Sequence, residues 1–518
     1  MHKRVPLLRP SKTGRQDVSS TTINNNHNNR EQQFRHQIYN KSIRGRKSIT
    51  KILALVCVFG ALVYIEKLTH EHGDSVNKKK VVISMPSHDP ISKTTSSIDQ
   101  KEEQQVKATD KISDSNSEYK HPNYHLIFST DCSAFQHWQS YLMFHSALKV
   151  NQPGTITRIA SGCSDEEAKT ATQWHKDHVT DVMGERFKLH LTPHFSSLKN
   201  DEGKKVGDYK FFNKPFGLLH WLENADDFKE GNPEDDVVIL IDPDMILLRP
   251  ITGDFSDPDN VLVGRMHQRE RKYYVKHGAP FAQTYGFGTQ WVKKLDLNEI
   301  AGPDSPAKNV NHADAAAFYP VGPPYIATMS DMIQIARKWT EFVPRVHKQY
   351  PYLLAEMFAF CVAAAHLELK HQLIDSLMIS NTFSGGEGWP MVDAITKDTV
   401  PSLCEFASQP DHSQHPVPSV IHYCQHYAIG KFFFGKRRMV KDFFECESPL
   451  MEFPPMDIIE TTDFSEHHGE RKELSTQQAR RHGFVTCGIL GALNDAGTFF
   501  KEHSCNGTGN IEKKTKLT

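Results

Sequence analysis

Two aspartates that follow a strongly apolar segment are the residues best suited to metal chemistry. The sequence DDVVILIDPDMILLRP places Asp242 and Asp244 directly after five consecutive apolar residues, 237–241. This run predicts a strand buried on both faces, and ligands of open α/β sheets bind beyond the carboxyl ends of such strands. Carboxylates at positions i and i+2 can converge on one divalent cation, Mn²⁺ or Mg²⁺, that bridges a diphosphate. A plain Asp-Pro-Asp turn is the alternative interpretation.

Strands and helices alternate in the sequence around this motif. Residues 124–131 (YHLIFSTD) and 155–161 (TITRIAS) predict strands, and residues 138–150 between them have apolar positions at helical spacing. Residues 213–224 (NKPFGLLHWLEN) predict a second helix, with Pro215 suited to its first turn. A strand, a helix and a strand in succession indicate a βαβ unit, so we predict an α/β fold with a parallel sheet.

Composition excludes several classes of protein. The chain has 518 residues and a formal net charge of -1, which gives no reason to expect nucleic acid as a partner. A hydrophobic fraction of 38% is too low for a polytopic membrane protein. Nine cysteines are too few for a disulfide-dense scaffold of this length.

The N-terminal part has the layout of a single-pass type II membrane protein. Residues 1–51 are basic and low in complexity, and we predict a disordered cytosolic tail. Residues 52–65 (ILALVCVFGALVYI) predict a transmembrane signal anchor, with a buried core helix or a cleaved signal peptide as alternatives. Residues 66–120 predict a flexible polar stem. The positive charge before the anchor predicts that everything after it is lumenal, in the Golgi or the endoplasmic reticulum.

Five ordered sequence blocks resemble a known family. They are ITRIASG, NKPFGLLHWL, VVILIDPDMILLRPI, LLAEMFAFCVAAAHLELKHQL and VIHYCQHY. These blocks are similar to those of the hydroxyproline O-arabinosyltransferases of plants and algae, and equally to those of the related peptidyl-serine α-galactosyltransferases. The resemblance implies a Rossmann-like glycosyltransferase domain of the GT-A type over residues 121–450. Residues 451–518 form a C-terminal extension to which the sequence assigns no role.

The resemblance also implies an activity and its partners. The expected reaction moves a sugar from a nucleotide-sugar donor, UDP-linked in our prediction, to a hydroxyl group on a secreted protein rich in hydroxyproline or serine. Hydroxyproline O-arabinosyltransfer is the first prediction, and peptidyl-serine O-galactosyltransfer is the alternative. A membrane-anchored binding protein of the same fold that has lost catalysis is the alternative from another class.

A late-chain histidine often completes the metal site in GT-A enzymes. His422 in SVIHYCQHY matches that position and is our candidate third ligand beside Asp242 and Asp244. A core histidine in a strand is the alternative, because the neighbouring Val420, Ile421 and Tyr423 have a strand-like pattern.

Four residues are predicted to bind the donor. Thr130 and Asp131 end the first predicted strand, where the resemblance implies contacts to the nucleoside, although Asp131 is also suited to cap the next helix. Arg158 lies within a predicted strand, so its charge needs an acidic partner or the donor. Lys214 lies at a predicted helix start, which favours phosphate, with a solvated surface lysine as the alternative.

The second half of the domain supplies the remaining candidates. Glu356 lies in a predicted apolar helix near the implied reaction centre, and we predict a catalytic or substrate contact, with a structural ion pair as the alternative. Gly386, Glu387 and Trp389 belong to the glycine-rich segment SGGEGWP, which predicts a substrate loop with a sugar stacked on Trp389, or else a plain turn.

Two further features concern the lumenal setting. Asn506 begins the N-glycosylation sequon Asn-Gly-Thr, and we predict that it carries a glycan. Some of the lumenal cysteines are expected to pair in an oxidising compartment, but the spacing does not reveal the connectivity.

Overall fold

The computed structural model describes residues 123–199, 205–225, 233–264, 271–287, 289–440, 442–462 and 475–517. The predicted tail, anchor and stem lie outside these residues. Within the part of the chain that is described, none of the helices combines the length and the apolar composition needed to cross a membrane.

The described chain alternates between strands and helices. The strands are Tyr124–Asp131 (β1), Thr155–Ser161 (β2), Phe187–Thr192 (β3), Ser197–Lys199 (β4), Lys205–Asp208 (β5), Val237–Ile241 (β6), Met245–Leu247 (β7), Phe281–Thr284 (β8), Val321–Thr328 (β9), Gln372–Ile374 (β10), Met378–Ile379 (β11), Val420–His422 (β12), His426–Ile429 (β13), Phe432–Gly435 (β14), Leu450–Met451 (β15) and Lys514–Thr515 (β16). The helices are Ala134–Lys149 (α1), Asp165–His175 (α2), Asp181–Met183 (α3), Asn213–Asn224 (α4), Gln290–Lys294 (α5), Leu297–Ala301 (α6), His312–Phe318 (α7), Met329–Gln349 (α8), Ala355–His366 (α9), Trp389–Ala394 (α10), Leu403–Ser408 (α11), Ile458–Thr461 (α12) and Thr476–Ser504 (α13).

A seven-stranded sheet in the order β10-β8-β9-β6-β1-β2-β3 forms the centre of the fold. Strands β6, β1, β2 and β3 run parallel to one another, and β10 is parallel to β8. Strand β9 is antiparallel to both of its neighbours, β6 and β8. The predicted α/β class with a mostly parallel sheet is therefore confirmed.

Strand β6 is buried on both faces, as its apolar run predicts. Its five side chains have no exposed surface. Val237, Ile239 and Ile241 pack in one hydrophobic cluster, whereas Val238 and Leu240 pack in the cluster on the other face of the sheet. Alternate side chains of a strand point to opposite faces, so layers on both sides fix this strand and the residues that follow it.

Helix α4 lies close against the sheet. A Cβ atom at Gly217 would lie 3.1 Å from the Ile159 side chain and 3.3 Å from Oγ of Ser161. This is tighter than an ordinary van der Waals contact, so a residue without a side chain suits this crossing. The close approach brings the first turn of α4, which contains Lys214, to the carboxyl edge of the sheet.

A small second sheet continues directly from the central one. It has the order β11-β12-β7, in which β12 is parallel to β11 and antiparallel to β7. Strand β7 begins just after the Asp-Pro-Asp turn that ends β6. The two sheets therefore meet at the acidic motif.

The C-terminal segment packs into the same core as the first strands. Phe484, Val485 and Leu493 of α13 are buried in the hydrophobic cluster that also contains Leu126 and Phe128 of β1. Three disulfide bonds join Cys132 to Cys163, Cys404 to Cys487 and Cys446 to Cys505. The last two attach the C-terminal segment to the preceding chain, whereas Cys361 and Cys424 are free thiols.

Candidate active site

Three predicted metal ligands meet where the two sheets join. One oxygen each from Asp242 and Asp244 and one ring nitrogen of His422 lie within 4.8 Å of one another. The register of the small sheet explains this, because His422 pairs with Met245, the residue next to Asp244. The backbone carbonyl of Asp244 also accepts a hydrogen bond from the backbone N–H of Tyr423, at 3.0 Å. Two carboxylates and an imidazole suit Mn²⁺, so this donor set fits the predicted cation.

His422 forms an ion pair with Asp244. Its Nε2 atom lies 3.2 Å from Oδ1 of Asp244, and both side chains are about nine-tenths buried. Burial lowers the pKa of His422, but the Cys424 thiol and the Asp244 carboxylate outweigh this effect and raise it well above the ordinary value. Metal binding through this ring requires the neutral imidazole.

A lysine that the sequence reasoning missed also contacts the acidic motif. The ammonium of Lys436 forms a salt bridge with Oδ2 of Asp244. Burial would raise the pKa of Asp244, but His422 and Lys436 hold it well below the usual range. The hairpin β13–β14 brings Lys436 back to the site, because Gly435 pairs with His426. Two short apolar runs separated by Gly430 carry this hairpin signal in the sequence.

Lys214 bridges two carboxylates in the interior. Its Nζ atom lies 2.7 Å from Oδ1 of Asp242 and 2.8 Å from Oε1 of Glu356. Burial would lower the pKa of Lys214, but the two carboxylates outweigh it and raise the pKa. Lys214 is only 9% exposed, so the alternative of a solvated surface lysine is wrong.

Glu356 lies in the first turn of α9 and is 4% exposed. Burial raises its pKa, and the nearby Lys214 ammonium opposes that change. The indole N–H of Trp339 donates a hydrogen bond of 2.7 Å to the backbone carbonyl of Glu356, which fixes the start of this helix. The Oε2 atom of Glu356 has no hydrogen-bond partner among the described residues.

Three of the predicted donor-binding residues contact one another, Thr130 and Asp131 at the end of β1 and Arg158 in the middle of β2. Arg158 is 2% exposed and donates from Nε to Oγ1 of Thr130, at 3.0 Å, and from Nη2 to the carbonyl of Asp131, at 3.2 Å. Burial lowers the pKa of Arg158 to about 10, although the Asp131 charge opposes this. The Asp131 carboxylate accepts hydrogen bonds from the backbone N–H and the hydroxyl of Ser133. Asp131 therefore orders the entry to α1, and the donor contacts stay predictions.

Residues 380–388, which we name the glycine-rich loop, leave the small sheet at the edge that carries His422. The carboxylate of Glu387 is turned inward and accepts hydrogen bonds from the backbone N–H of Ser380, at 2.6 Å, and of Asn381, at 3.1 Å. Burial raises the pKa of Glu387, and these hydrogen bonds offset only part of that rise. Glu387 thus holds the two ends of the loop together, and Gly386 lies exposed at its tip.

Trp389 differs from its prediction. Its side chain has no exposed surface, and its indole N–H donates to the carbonyl of Asn381 at 2.9 Å. The guanidinium of Arg481 covers the ring at 5.0 Å from its centroid. The ring has no open face for a sugar in this arrangement, and its role here is to support the glycine-rich loop. Asn506, the predicted glycosylation site, lies exposed after α13.

Searches against known proteins find relatives by sequence. No protein-family model matches the chain. It is 28% identical over 269 residues to the peptidyl serine α-galactosyltransferase of Arabidopsis thaliana, covering 51% of this chain and 29% of the relative. It is 29% identical over 397 residues to the protein of that name from Chlamydomonas reinhardtii, covering 73% of this chain and 43% of the relative. It is 24% identical over 268 residues to the hydroxyproline O-arabinosyltransferase PLENTY of Lotus japonicus, covering 49% of this chain and 59% of the relative.

These relatives confirm the predicted resemblance, and the chain spans less than two thirds of the length of each. Among solved structures, the galactosyltransferase LgtC with donor and acceptor sugar analogues aligns with a TM-score of 0.30 and 11% identity, over 58% of this chain and 87% of that one. The bifunctional glycosyltransferase WbbM aligns with a TM-score of 0.30 and 9% identity, over 60% of this chain and 47% of that one. TM-scores this low do not establish a shared fold.

Proposed function

This chain is related to the peptidyl serine α-galactosyltransferases and the hydroxyproline O-arabinosyltransferases, and we propose that it is a glycosyltransferase of the GT-A type. In this proposal it transfers a sugar from a UDP-linked nucleotide-sugar donor to a hydroxyl group of a protein. The relatives' names support a transfer to protein, and the site supports the use of a diphosphate donor.

One observation carries the proposal. Asp242, Asp244 and His422 converge beyond the carboxyl end of a fully buried strand of a mostly parallel sheet. That edge is where ligands of open α/β sheets bind. Mn²⁺ or Mg²⁺ held by these three side chains would neutralise charge on the departing nucleoside diphosphate.

The surrounding side chains have roles of their own. Lys214 holds Asp242 and Glu356 in one geometry through its two ion pairs. The Oε2 atom of Glu356 is buried and has no hydrogen-bond partner among the described residues, and in this proposal a sugar hydroxyl or the acceptor donates to it. In this proposal the nucleoside binds near the end of β1, where Arg158 contacts Thr130 and Asp131.

The sugar and the acceptor residue define two versions of this function. The sequence resemblance is divided between them: the block DPDMILLRP resembles the arabinosyltransferases more, whereas NKPFGLLHWL and LKHQLIDSLMI resemble the serine galactosyltransferases more. Peptidyl-serine O-galactosyltransfer is favoured by the comparisons, because both galactosyltransferase relatives match at 28–29% identity, against 24% for the arabinosyltransferase. The site is compatible with both, because none of its described side chains distinguishes one sugar from the other.

We place the protein in the secretory pathway, as a type II protein of the Golgi or endoplasmic reticulum membrane. The three disulfide bonds support an oxidising compartment. The basic tail followed by the apolar residues 52–65 supports the orientation. The sequon at the exposed Asn506 would then be accessible to N-glycosylation.

Incubation of the purified full-length protein with UDP-arabinofuranose or UDP-galactose tests the proposal. Each donor is combined with Mn²⁺ and with hydroxyproline-rich or serine-rich peptides, and mass spectrometry records the sugar added to each peptide. We expect one donor and one peptide class to give product. A protein that binds UDP but neither transfers nor hydrolyses any sugar would instead be the inactive binding protein.

A further inference from the structure

Arg481 of α13 contacts the first arm of the glycine-rich loop and the helix that follows the loop. Its Nη1 atom donates to the carbonyls of Thr382, at 3.2 Å, and Ser384, at 2.9 Å. Its Nε atom donates to Oδ1 of Asp393 at 2.9 Å, and Nη2 forms a salt bridge with the other carboxylate oxygen. The guanidinium also covers the Trp389 ring. A planar fork with five donors can make all of these contacts at once, which a lysine cannot.

The loop that Arg481 holds is connected to the candidate metal site. Ile379 of β11 pairs in parallel with Ile421 of β12, so Ser380 and His422 leave the small sheet at the same edge. The hydroxyl of Tyr427 lies 2.9 Å from the carbonyl of Ser380 and 3.0 Å from that of His422. One tyrosine thus joins the start of the loop to the backbone of the candidate ligand.

Helix α13 does not depend on Arg481 for its own attachment. A disulfide bond joins Cys487 in this helix to Cys404 in α11. Phe484, Leu490 and Leu493 are buried on its inner face, so most of its docking surface is apolar. Loss of the Arg481 guanidinium should therefore release the loop while the helix stays in place.

The loop begins beside the candidate site, because Tyr427 joins its first residue to the backbone of His422. It follows β11 of the small sheet, whereas the predicted donor-binding residues Thr130 and Asp131 end β1 of the central sheet, next to β6. The loop tip is open: Phe383 is 50% exposed, and Gly385 and Gly386 are exposed too. Glycines let another backbone approach closely, and an exposed aromatic ring offers contact area to a polypeptide.

We propose that Arg481 is a positioning residue that presents the glycine-rich loop to the acceptor polypeptide. Helix α13 of the C-terminal segment thereby fixes one wall of the acceptor side. This inference rests on the proposed function for the identity of the acceptor, but the positioning itself concerns only the loop.

Arg481→Met, which removes the fork, tests this role in the full-length protein. Arg481→Lys restores the charge without the fork. Arg480→Met is the matched control, because among the described residues Arg480 on the same helix contacts only the carbonyl of Ile395, outside the loop. Hydrogen exchange, thermal unfolding, UDP affinity and acceptor KM are measured for each protein.

Arg481→Met should speed amide exchange in residues 380–388 while exchange in α13 stays as in the wild type. The KM for the acceptor peptide should rise about tenfold or more, because small displacements of a positioning element cost that much. UDP affinity should change by less than about twofold. Arg481→Lys should fall between the wild type and Arg481→Met, and Arg480→Met should match the wild type.

Other results would overturn the inference. Equal exchange of the loop in wild type and Arg481→Met would show that Arg481 does not hold it. Faster exchange throughout α13 with a lower unfolding temperature would show a merely structural residue. A lower UDP affinity with unchanged acceptor KM would place the loop on the donor side. If the wild type transfers no sugar, the proposed function fails, and the exchange measurement still decides whether Arg481 positions the loop.

Discussion

The Nε2 atom of His422 lies 3.2 Å from Oδ1 of Asp244, although a large part of the domain separates the two residues in the sequence. The contact exists because β12 pairs antiparallel with β7, the strand that begins immediately after Asp244. A second contact to this carboxylate comes from Lys436. The charge balance of Asp244 therefore depends on two side chains from separate segments, and each can be tested alone.

Lys436 should compete with a metal ion for Asp244. The Lys436→Met variant removes a cation that pairs with a candidate ligand, so Mn²⁺ affinity in the absence of nucleotide should increase. Isothermal titration with Mn²⁺ measures this. Lys431→Met is the control, because Lys431 on the same hairpin is exposed and, among the described residues, contacts only Glu452 and the neighbouring Phe432 ring. Weaker Mn²⁺ binding by Lys436→Met would show that the lysine supports the metal site instead.

Glu356→Gln should separate the two interpretations of this buried carboxylate. The substitution weakens the contact to Lys214 and should lower the free energy of unfolding by about 2 kcal/mol, a typical value for a hydrogen bond to a charged group. Glu341→Gln is the control, because its ion pairs with Lys338 and Arg345 are solvent-exposed and should each contribute less than about 0.5 kcal/mol.

The activity of the folded Glu356→Gln protein then decides its role. A direct contact with substrate predicts a loss of roughly tenfold or more in kcat/KM, within the usual range for a group that acts in the transition state. Unchanged activity per folded molecule would leave Glu356 with the structural ion pair alone.

Buried histidines whose pKa is lowered by burial should make the domain less stable in acid. Burial lowers the pKa of His371 to about 4. The carbonyl of Leu369 accepts a hydrogen bond from Nδ1 of His371, and this contact partly opposes the shift. The unfolded chain has a His pKa of about 6.5, so between these values the unfolded state binds more protons. The stabilisation is complete above about pH 6.5 and is lost progressively as the pH falls toward 4.

Denaturant unfolding at pH 7 and pH 5 checks this expectation. The free energy of unfolding should be lower at pH 5, and the difference should be smaller in His371→Gln, which removes one of the groups involved. Buried His145 and His175, whose pKa values are also lowered to about 4, should preserve part of the difference in that variant. Equal stability of the wild type at both pH values would contradict the assignment.

Local sequence signals predicted the elements that carry the acidic motif. The apolar run 237–241, the strands 124–131 and 155–161 and the helix 213–224 occur with the predicted bounds. Each has a continuous pattern of its own, either an apolar run or helical spacing, so no distant contact is needed to recognise it.

Contacts between distant segments could not be predicted in this way. Lys436 reaches Asp244 only through the pairing of β13 with β14, and a strand register is set by the folded sheet. Trp389 looked suited to a sugar, but Arg481 from the C-terminal helix covers its ring. The C-terminal segment had no predicted role, because its contacts with the loop become visible only in three dimensions.

The most direct test of the account is a titration of UDP into the full-length protein with and without Mn²⁺, for wild type, Asp244→Asn and His422→Ala. We predict that Mn²⁺ strengthens UDP binding to the wild type about tenfold or more, through the charge that a divalent ion contributes at the diphosphate. Both variants should lose most of this metal dependence and keep the metal-independent UDP affinity. Identical Mn²⁺ dependence in all three folded proteins would contradict a metal site at Asp242, Asp244 and His422.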